Sequence, residues 1–219
     1  MLECKKILEN VDYINTVKKI EQIKIIDNGK WDWEHGLGHY KRVAEYVQKI
    51  LKQLSADERT IELGVVAALL HDIGLSESGN KKTNHAIKSS ELFRKFLVGT
   101  NITPEEEKIL EHAIADHSNG NDIKSMVGLA LVLADKLDVT YHRTENSSIQ
   151  DEMNKEIQKI RSVDIEINDR ELIVRYTTID NFDINMLKNW EKAITIPKKI
   201  ADYLNKNHVL IINDKEVLL

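Results

Sequence analysis

The chain has 219 residues, 42% of them hydrophobic and 31% charged, with a formal net charge of −5 at pH 7. That length suits one sizeable core, or a core with a small appendage, and the acid excess leaves no basic footprint for nucleic acid. No apolar run approaches the ~20 residues of a membrane span, residues 1–20 lack the apolar stretch of a signal peptide, and the one cysteine, Cys4, excludes an internal disulfide and suits a reducing cytoplasm.

With only two prolines, Pro104 and Pro197, long helices can run uninterrupted. Ile14, Val17, Ile20, Ile23 and Ile26 recur at near-helical spacing over ~12–26, and Val43, Val47, Ile50, Leu51 and Leu54 form one stripe over ~36–54. Asp57 is a candidate N-cap for a helix through Val65, Val66, Leu69 and Leu70 to His71, with Gly74 placed to end it. A polar loop then leads to a helix at ~84–98. Thr103 and Pro104 open the next, with acids in its first turn, and it ends near Gly120. A helix at ~123–142, apolar on most sides, reads as central and buried.

After about residue 162 the pattern changes. Residues 163–168 and 172–176 alternate on either side of a turn at Asn168–Arg170, which is a hairpin signal. A helix at ~183–206, disturbed by Pro197, and an apolar strand at 209–212 follow. The expected fold is mainly α: an all-helical domain over residues 1–160 with a small α+β appendage (hairpin, helix, strand) over residues 163–219.

Polar residues interrupt the apolar stripes on their inward faces. His39 is four residues before Val43 and eight before Val47; His85 precedes Ser89, Leu92 and Phe96 on one face; His117 follows Leu110 and Ala113; Asp135 follows Val127 and Leu131. His71 and Asp72 stand side by side at the end of an apolar helix. Burying a lone carboxylate such as Asp135 costs several kcal/mol unless it is paired or bound to a metal. A single inward histidine is ordinarily a hydrogen-bonded core residue, but six such groups on five consecutive elements point to a metal centre. Mixed imidazole and carboxylate donors suit Mn, Fe, Ni, Co or Zn better than calcium, with Mg also admitted.

In order and context this set resembles the HD (histidine–aspartate) superfamily of metal-dependent phosphohydrolases. HYKRVAEYV surrounds His39, ALLHDIG the His71–Asp72 pair and LADKLD Asp135, so the resemblance covers about residues 31–143. NHAIKSSEL and AIADHSNG, around His85 and His117, are similar to HD proteins that hold two metals, including the HD-type symmetrical diadenosine tetraphosphate hydrolases. The chain lacks the GYP tripeptide and the adjacent His-His pair of the HD-GYP cyclic-di-nucleotide phosphodiesterases. It also lacks the acidic pair of stringent-response alarmone hydrolases, which Glu77 echoes only in part.

The resemblance implies that His39, His71, Asp72 and Asp135 hold one divalent metal and that Asp72 bridges to a second held by His85 and His117, with Asp72 and His71 at the catalytic centre. Ions about 3.5–4 Å apart then act together on a phosphorus centre. Candidates for substrate phosphate are Arg143, eight residues beyond Asp135, and Lys136 beside it, together with Lys82 (next to Lys81) in the loop before His85. His35 joins them because HGLGH resembles the doubled histidine that opens several HD families. His112, about 140° around the helix from His117, reads as structural and as the alternative second-metal ligand. His142 follows Asp135 by seven residues, His208 reads as unrelated, and Trp31 and Trp33 read as packing beside a helix start, with base stacking as the alternative.

The expected function is hydrolysis of a phosphomonoester or phosphodiester in a nucleotide or related small phosphate ester, with no membrane or nucleic-acid partner and a homo-oligomer left open. The alternatives are a non-catalytic, metal-binding HD regulatory or interaction module, which the complete ligand set disfavours, and oxygen-dependent chemistry at a mixed-valent di-iron site.

Overall fold

Asn10 divides the N-terminal segment in two. It takes an extended conformation after α1 (Leu2–Glu9) and opens α2 (Val11–Gln22) by accepting from the amides of Asp12 and Tyr13. Helix α2 follows the expected stripe, whereas α1 buries only Cys4 and Ile7 among its apolar residues, too few to register as a period. The computed structural model describes residues 1–23, 33–78, 84–144, 147, 152–179, 181–189 and 191–217. Trp31, Lys81, Lys82 and the expected helix end at Ile26 lie outside the described residues.

Helix α3 (Leu37–Gln53) buries Val43, Val47, Ile50 and Leu51 on its stripe. Helix α4 (Glu58–Leu70) starts where Asp57 accepts from the Thr60 amide at 2.7 Å and ends one residue short of His71. A single turn, α5 (Leu75–Ser78), precedes α6 (His85–Leu92), which tightens into a 3-10 helix over Phe93–Phe96. Thr103 and Glu106 cap each other reciprocally at the start of α7 (Pro104–Asp116), and Ser125 caps α8 (Met126–Leu137). Helix α8 stops at Leu137, not near residue 142 as expected. Asp138 leaves the helical region, with ψ of 69°, because its carboxylate is claimed by partners on α3. A 3-10 turn, Tyr141–Arg143, and α9 (Glu152–Ile157) follow.

The hairpin forms as β1 (Ile160–Ile167) and β2 (Glu171–Thr178). Helices α10 (Ile184–Asn189) and α11 (Glu191–Tyr203) then cross over to β3 (Asn207–Ile212), which runs parallel to β2, and β4 (Lys215–Val217) closes the sheet in the order β1-β2-β3-β4. Pro197 lies inside α11, which continues past it.

One apolar cluster runs from Ile7 and Val43 through Leu70 and Leu131 to Val174 and Ile200, so the sheet and the helices share a core. Tyr46 Oη donates to the Val163 carbonyl at 2.7 Å and Gln53 Nε2 to that of Ile165 at 3.1 Å, fastening α3 to β1. Helices α4 and α8 are buried along most of their length, each fully buried Leu or Val contributing about 1.5–3 kcal/mol. These two rigid helices carry His71, Asp72 and Asp135 at their C-terminal ends. Among the described residues no helix is long and apolar enough to cross a membrane.

Candidate metal centre

Five elements converge on one buried point. His39 lies in the first turn of α3, His71 and Asp72 follow α4 directly, His85 begins α6, His117 follows α7, and Asp135 sits in the last turn of α8. His35 precedes Gly36, the residue at the start of α3. His35, His39, His71, Asp72, His85 and His117 are buried, and the Asp135 side chain is 10% exposed.

The imidazoles form two pairs. His39 Nε2 lies 3.1 Å from His71 Nε2, and His85 Nε2 lies 3.1 Å from His117 Nε2. Asp72 stands between the pairs. Its Oδ1 is 3.2 Å from His85 Nε2 and 3.3 Å from His117 Nε2, while its Oδ2 is 3.5 Å from His71 Nε2, 3.7 Å from His39 Nε2 and 2.8 Å from His35 Nδ1. Asp135 Oδ1 completes the first pair, 3.4 Å from His39 Nε2 and 3.8 Å from His71 Nε2.

The outer ring nitrogens determine what the inner ones offer. His71 Nδ1 donates to the Ala68 carbonyl at 2.8 Å, His117 Nδ1 to that of Ile114 at 2.7 Å, and His39 Nδ1 to Asp138 Oδ2 at 2.6 Å. A carbonyl or ionised carboxylate oxygen only accepts, so in the neutral rings each Nδ1 holds the proton and each Nε2 turns a lone pair inward. Asp72 Oδ1, buried among them, accepts no hydrogen bond. Ser118 Oγ lies 3.2 Å from His85 Nε2 and 3.4 Å from His117 Nε2, and His35 Nδ1 meets Asp72 Oδ2. The lone pairs and carboxylate oxygens still outnumber these donors and repel one another, and a cation relieves that repulsion. His35, His39 and Asp72, then His39, His71 and Asp135, then His71, Asp72 and His117, form groups whose ligand atoms all lie within 4.8 Å. The donor set therefore fits a divalent metal.

The electrostatics keep this donor set in ligating form. Burial pushes the His71 imidazole down to about 3, against the pull of Asp72. Burial opposes ionisation of Asp72, yet the imidazoles of His71, His85 and His35 hold its carboxyl well below the usual carboxylate range. Asp135 is likewise held well below that range, with the Lys136 ammonium and the His39 ring outweighing burial.

Asp138 is the site residue that sequence reasoning passed over, although it closes LADKLD one helical turn after Asp135. Besides His39 it takes Arg42 Nε at 2.7 Å on Oδ1 and Arg143 Nη1 at 3.2 Å on Oδ2. Its carboxyl is held far below the usual range because hydrogen bonding to His39 and the two guanidiniums outweigh burial.

The other expected residues fall at different depths. Arg143, 3% exposed, touches Asp138 and His39 Nδ1 and lies 5.6 Å over the Trp33 ring. It arrives there by the 3-10 turn, since α8 ends six residues earlier and no common helical face links it to Asp135. Lys136 is buried and paired with Asp135 Oδ2. Lys82 lies outside the described residues. His112 and His142 are exposed, and His208 is on β3 of the sheet. Trp33 is buried and donates to Asn154 Oδ1 at 2.7 Å, as a packed residue would.

Gly74 serves a purpose other than ending a helix. A Cβ there would lie 2.4 Å from the His85 carbonyl and 2.5 Å from the Ser89 amide, so α6 packs backbone to backbone on the turn after Asp72. The Gly74 amide donates to Ser89 Oγ at 2.8 Å across that contact. The bare glycine lets His85 reach the far side of Asp72.

A helical protein with buried histidines and aspartates ordered in this way is of the metal-centre class. The HD domain family model matches residues 36–174, and the chain belongs to that family. It is similar to Ribonuclease Y of Mycoplasma mycoides, 26% identical over 176 residues that cover 72% of this chain and 39% of the relative. Ribonuclease Y of Mycoplasma capricolum subsp. capricolum is 25% identical over 176 residues, covering 72% and 32% respectively. The chain thus spans well under half the length of these curated relatives. The crystal structure of a predicted HD superfamily hydrolase from an uncultured Thermotogales bacterium superposes with a TM-score of 0.45 at 23% identity, covering 59% of this chain and 67% of that one.

Proposed function

We propose that this protein is a metal-dependent phosphohydrolase acting on a nucleotide or related small phosphate ester. The observation that carries the reading is Asp72, set with one oxygen toward His39 and His71 and the other toward His85 and His117. In this reading His39, His71, Asp72 and Asp135 hold one ion, and Asp72, His85 and His117 a second. Bound there, divalent transition metals supply Lewis acidity toward phosphate oxygens and activate water near neutral pH.

The chain's own groups prepare that chemistry. Asp138 keeps the His39 proton on Nδ1 and so keeps Nε2 free to ligate. The Ala68 and Ile114 carbonyls do the same for His71 and His117. Lys136 holds Asp135 ionised while leaving Oδ1 toward the imidazoles. His35, bonded to Asp72 Oδ2, is the group best placed to meet a phosphate oxygen or hold a proton beside it. Arg143 and Lys136 act on substrate through the fields they set behind Asp138 and Asp135, and Lys82 is assigned to the substrate phosphate from the sequence. The buried Cys4 thiol fits a reducing, cytoplasmic setting.

A second reading, cleavage of an RNA phosphodiester, takes its support from the Ribonuclease Y relatives. One experiment tests both. Metal analysis of the purified protein is paired with a screen of nucleoside mono-, di- and polyphosphates, cyclic dinucleotides and a single-stranded oligoribonucleotide. Turnover of a nucleotide that chelator abolishes and Asp72→Ala removes at intact folding is the expected result. Cleavage of the oligoribonucleotide alone selects the second reading, and turnover unchanged in Asp72→Ala overturns both.

A further inference from the structure

A cavity of about 320 Å³ opens between α3 and β1, and none of the six metal-centre residues lines it. Its wall brings Arg42, Lys49 and Arg161 together against Glu45 and Asp138. The Asp138 carboxylate is already committed to His39, Arg42 and Arg143. Lys49 pairs with Asp164, but those side chains are 41% and 58% exposed, and an exposed pair of this kind contributes little and opens readily. Arg161 has no carboxylate partner among the described residues and rests over the Tyr141 ring, 5.2 Å from its centroid. Thr140 also lines the cavity.

We propose that this cavity is a second binding site, for a small phosphorylated anion. Arg161 and Lys49 meet the phosphoryl oxygens, while Tyr46 and Val163 offer an apolar wall to the remainder of the ligand. Arg161, and Lys49 once it leaves Asp164, give one phosphoryl group two charged donors. The volume lies at the lower end of the roughly 300–1,000 Å³ of small-molecule pockets and suits a ligand of mononucleotide size. Because Asp138 both lines the cavity and holds His39 Nδ1, the occupant sits one side chain away from the imidazole cluster. This site goes beyond the hydrolase reading and does not depend on it.

Calorimetric titration of the full chain with inorganic phosphate, adenosine 5′-monophosphate and adenosine tests the site, with and without EDTA. The expected result is a binding component that survives EDTA and that Arg161→Glu weakens about tenfold or more, the loss of one charge-assisted contact. Arg161 is exposed, so this variant leaves the core untouched. Equal affinity for phosphate and the monophosphate identifies the phosphoryl group as the whole ligand; tighter binding of the monophosphate identifies a nucleotide. The absence of an EDTA-resistant component overturns the proposal, as do affinities indifferent to Arg161→Glu or adenosine binding as tightly as its monophosphate. Asp72→Ala leaves the component in place, so failure of the hydrolase reading and failure of this site are read separately.

Discussion

Asp138 accepts the Nδ1 proton of His39 at 2.6 Å, and the acceptor sits on the side of the ring away from the other imidazoles. That bond directs the His39 lone pair toward His71 and Asp135. Asp138→Asn replaces an acceptor-only carboxylate by an amide that can turn its NH2 to the ring and draw the proton to Nε2. Metal affinity is expected to fall about 10–100-fold, as for other groups that orient a ligating histidine. Competition against a chromophoric chelator measures it, and an unchanged affinity refutes the assignment.

Gly74→Ala is expected to push α6 away from the turn after Asp72, because a Cβ would meet backbone atoms of His85 and Ser89 at 2.4 and 2.5 Å. The overpacking costs about 1–3 kcal/mol, read from urea unfolding. If His85 serves the second ion, the variant also binds less metal per chain. Wild-type stability together with wild-type stoichiometry would falsify the close-contact argument.

His117→Ala is expected to remove the second ion while His112→Ala keeps both, since His117 faces Asp72 and His85 and His112 is exposed. Metal content per chain after gel filtration tells them apart. Equal loss in the two variants sinks the proposed ligand set.

Acid should destabilise the chelator-treated protein well before the carboxylates titrate. Burial lowers His71 from 6.5 to about 3, so the unfolded chain gains a proton near its ordinary value while the folded chain refuses it until about pH 3. The neutral ring's stability is fully present above pH 6.5 and falls as the pH drops toward 3, with a slope of about 1.4 kcal/mol per pH unit. His208, lowered to about 4 chiefly by burial, adds to the loss with the same sign. Below about pH 4 the depressed carboxyls of Asp72, Asp135 and Asp138 steepen it, because the unfolded chain then binds protons that the folded one excludes. Urea midpoints that stay flat between about pH 7 and 5 would contradict the buried neutral imidazole.

The helical phase of His39, His85, His117 and Asp135 was legible because each sits one or two turns from apolar residues whose inward direction the core dictates. The hairpin was legible for the same reason, at period two. Helix α1 was not, since it buries too few apolar residues to register as a period. The end of α8 was not legible either, because Leu137 and Asp138 carry no local stop signal. The carboxylate leaves the helix for His39 and Arg42, partners about a hundred residues away in sequence.

Local periodicity therefore determined which side chains turn inward and which elements carry them, because burial of an apolar stripe constrains one face of one element at a time. The division of Asp72 between two imidazole pairs, the Nδ1 protons held by Ala68, Ile114 and Asp138, and the cavity behind Asp138 depend on distances between elements. Those distances follow from how α3, α4, α6, α7, α8 and β1 pack together, and only the tertiary structure decided them.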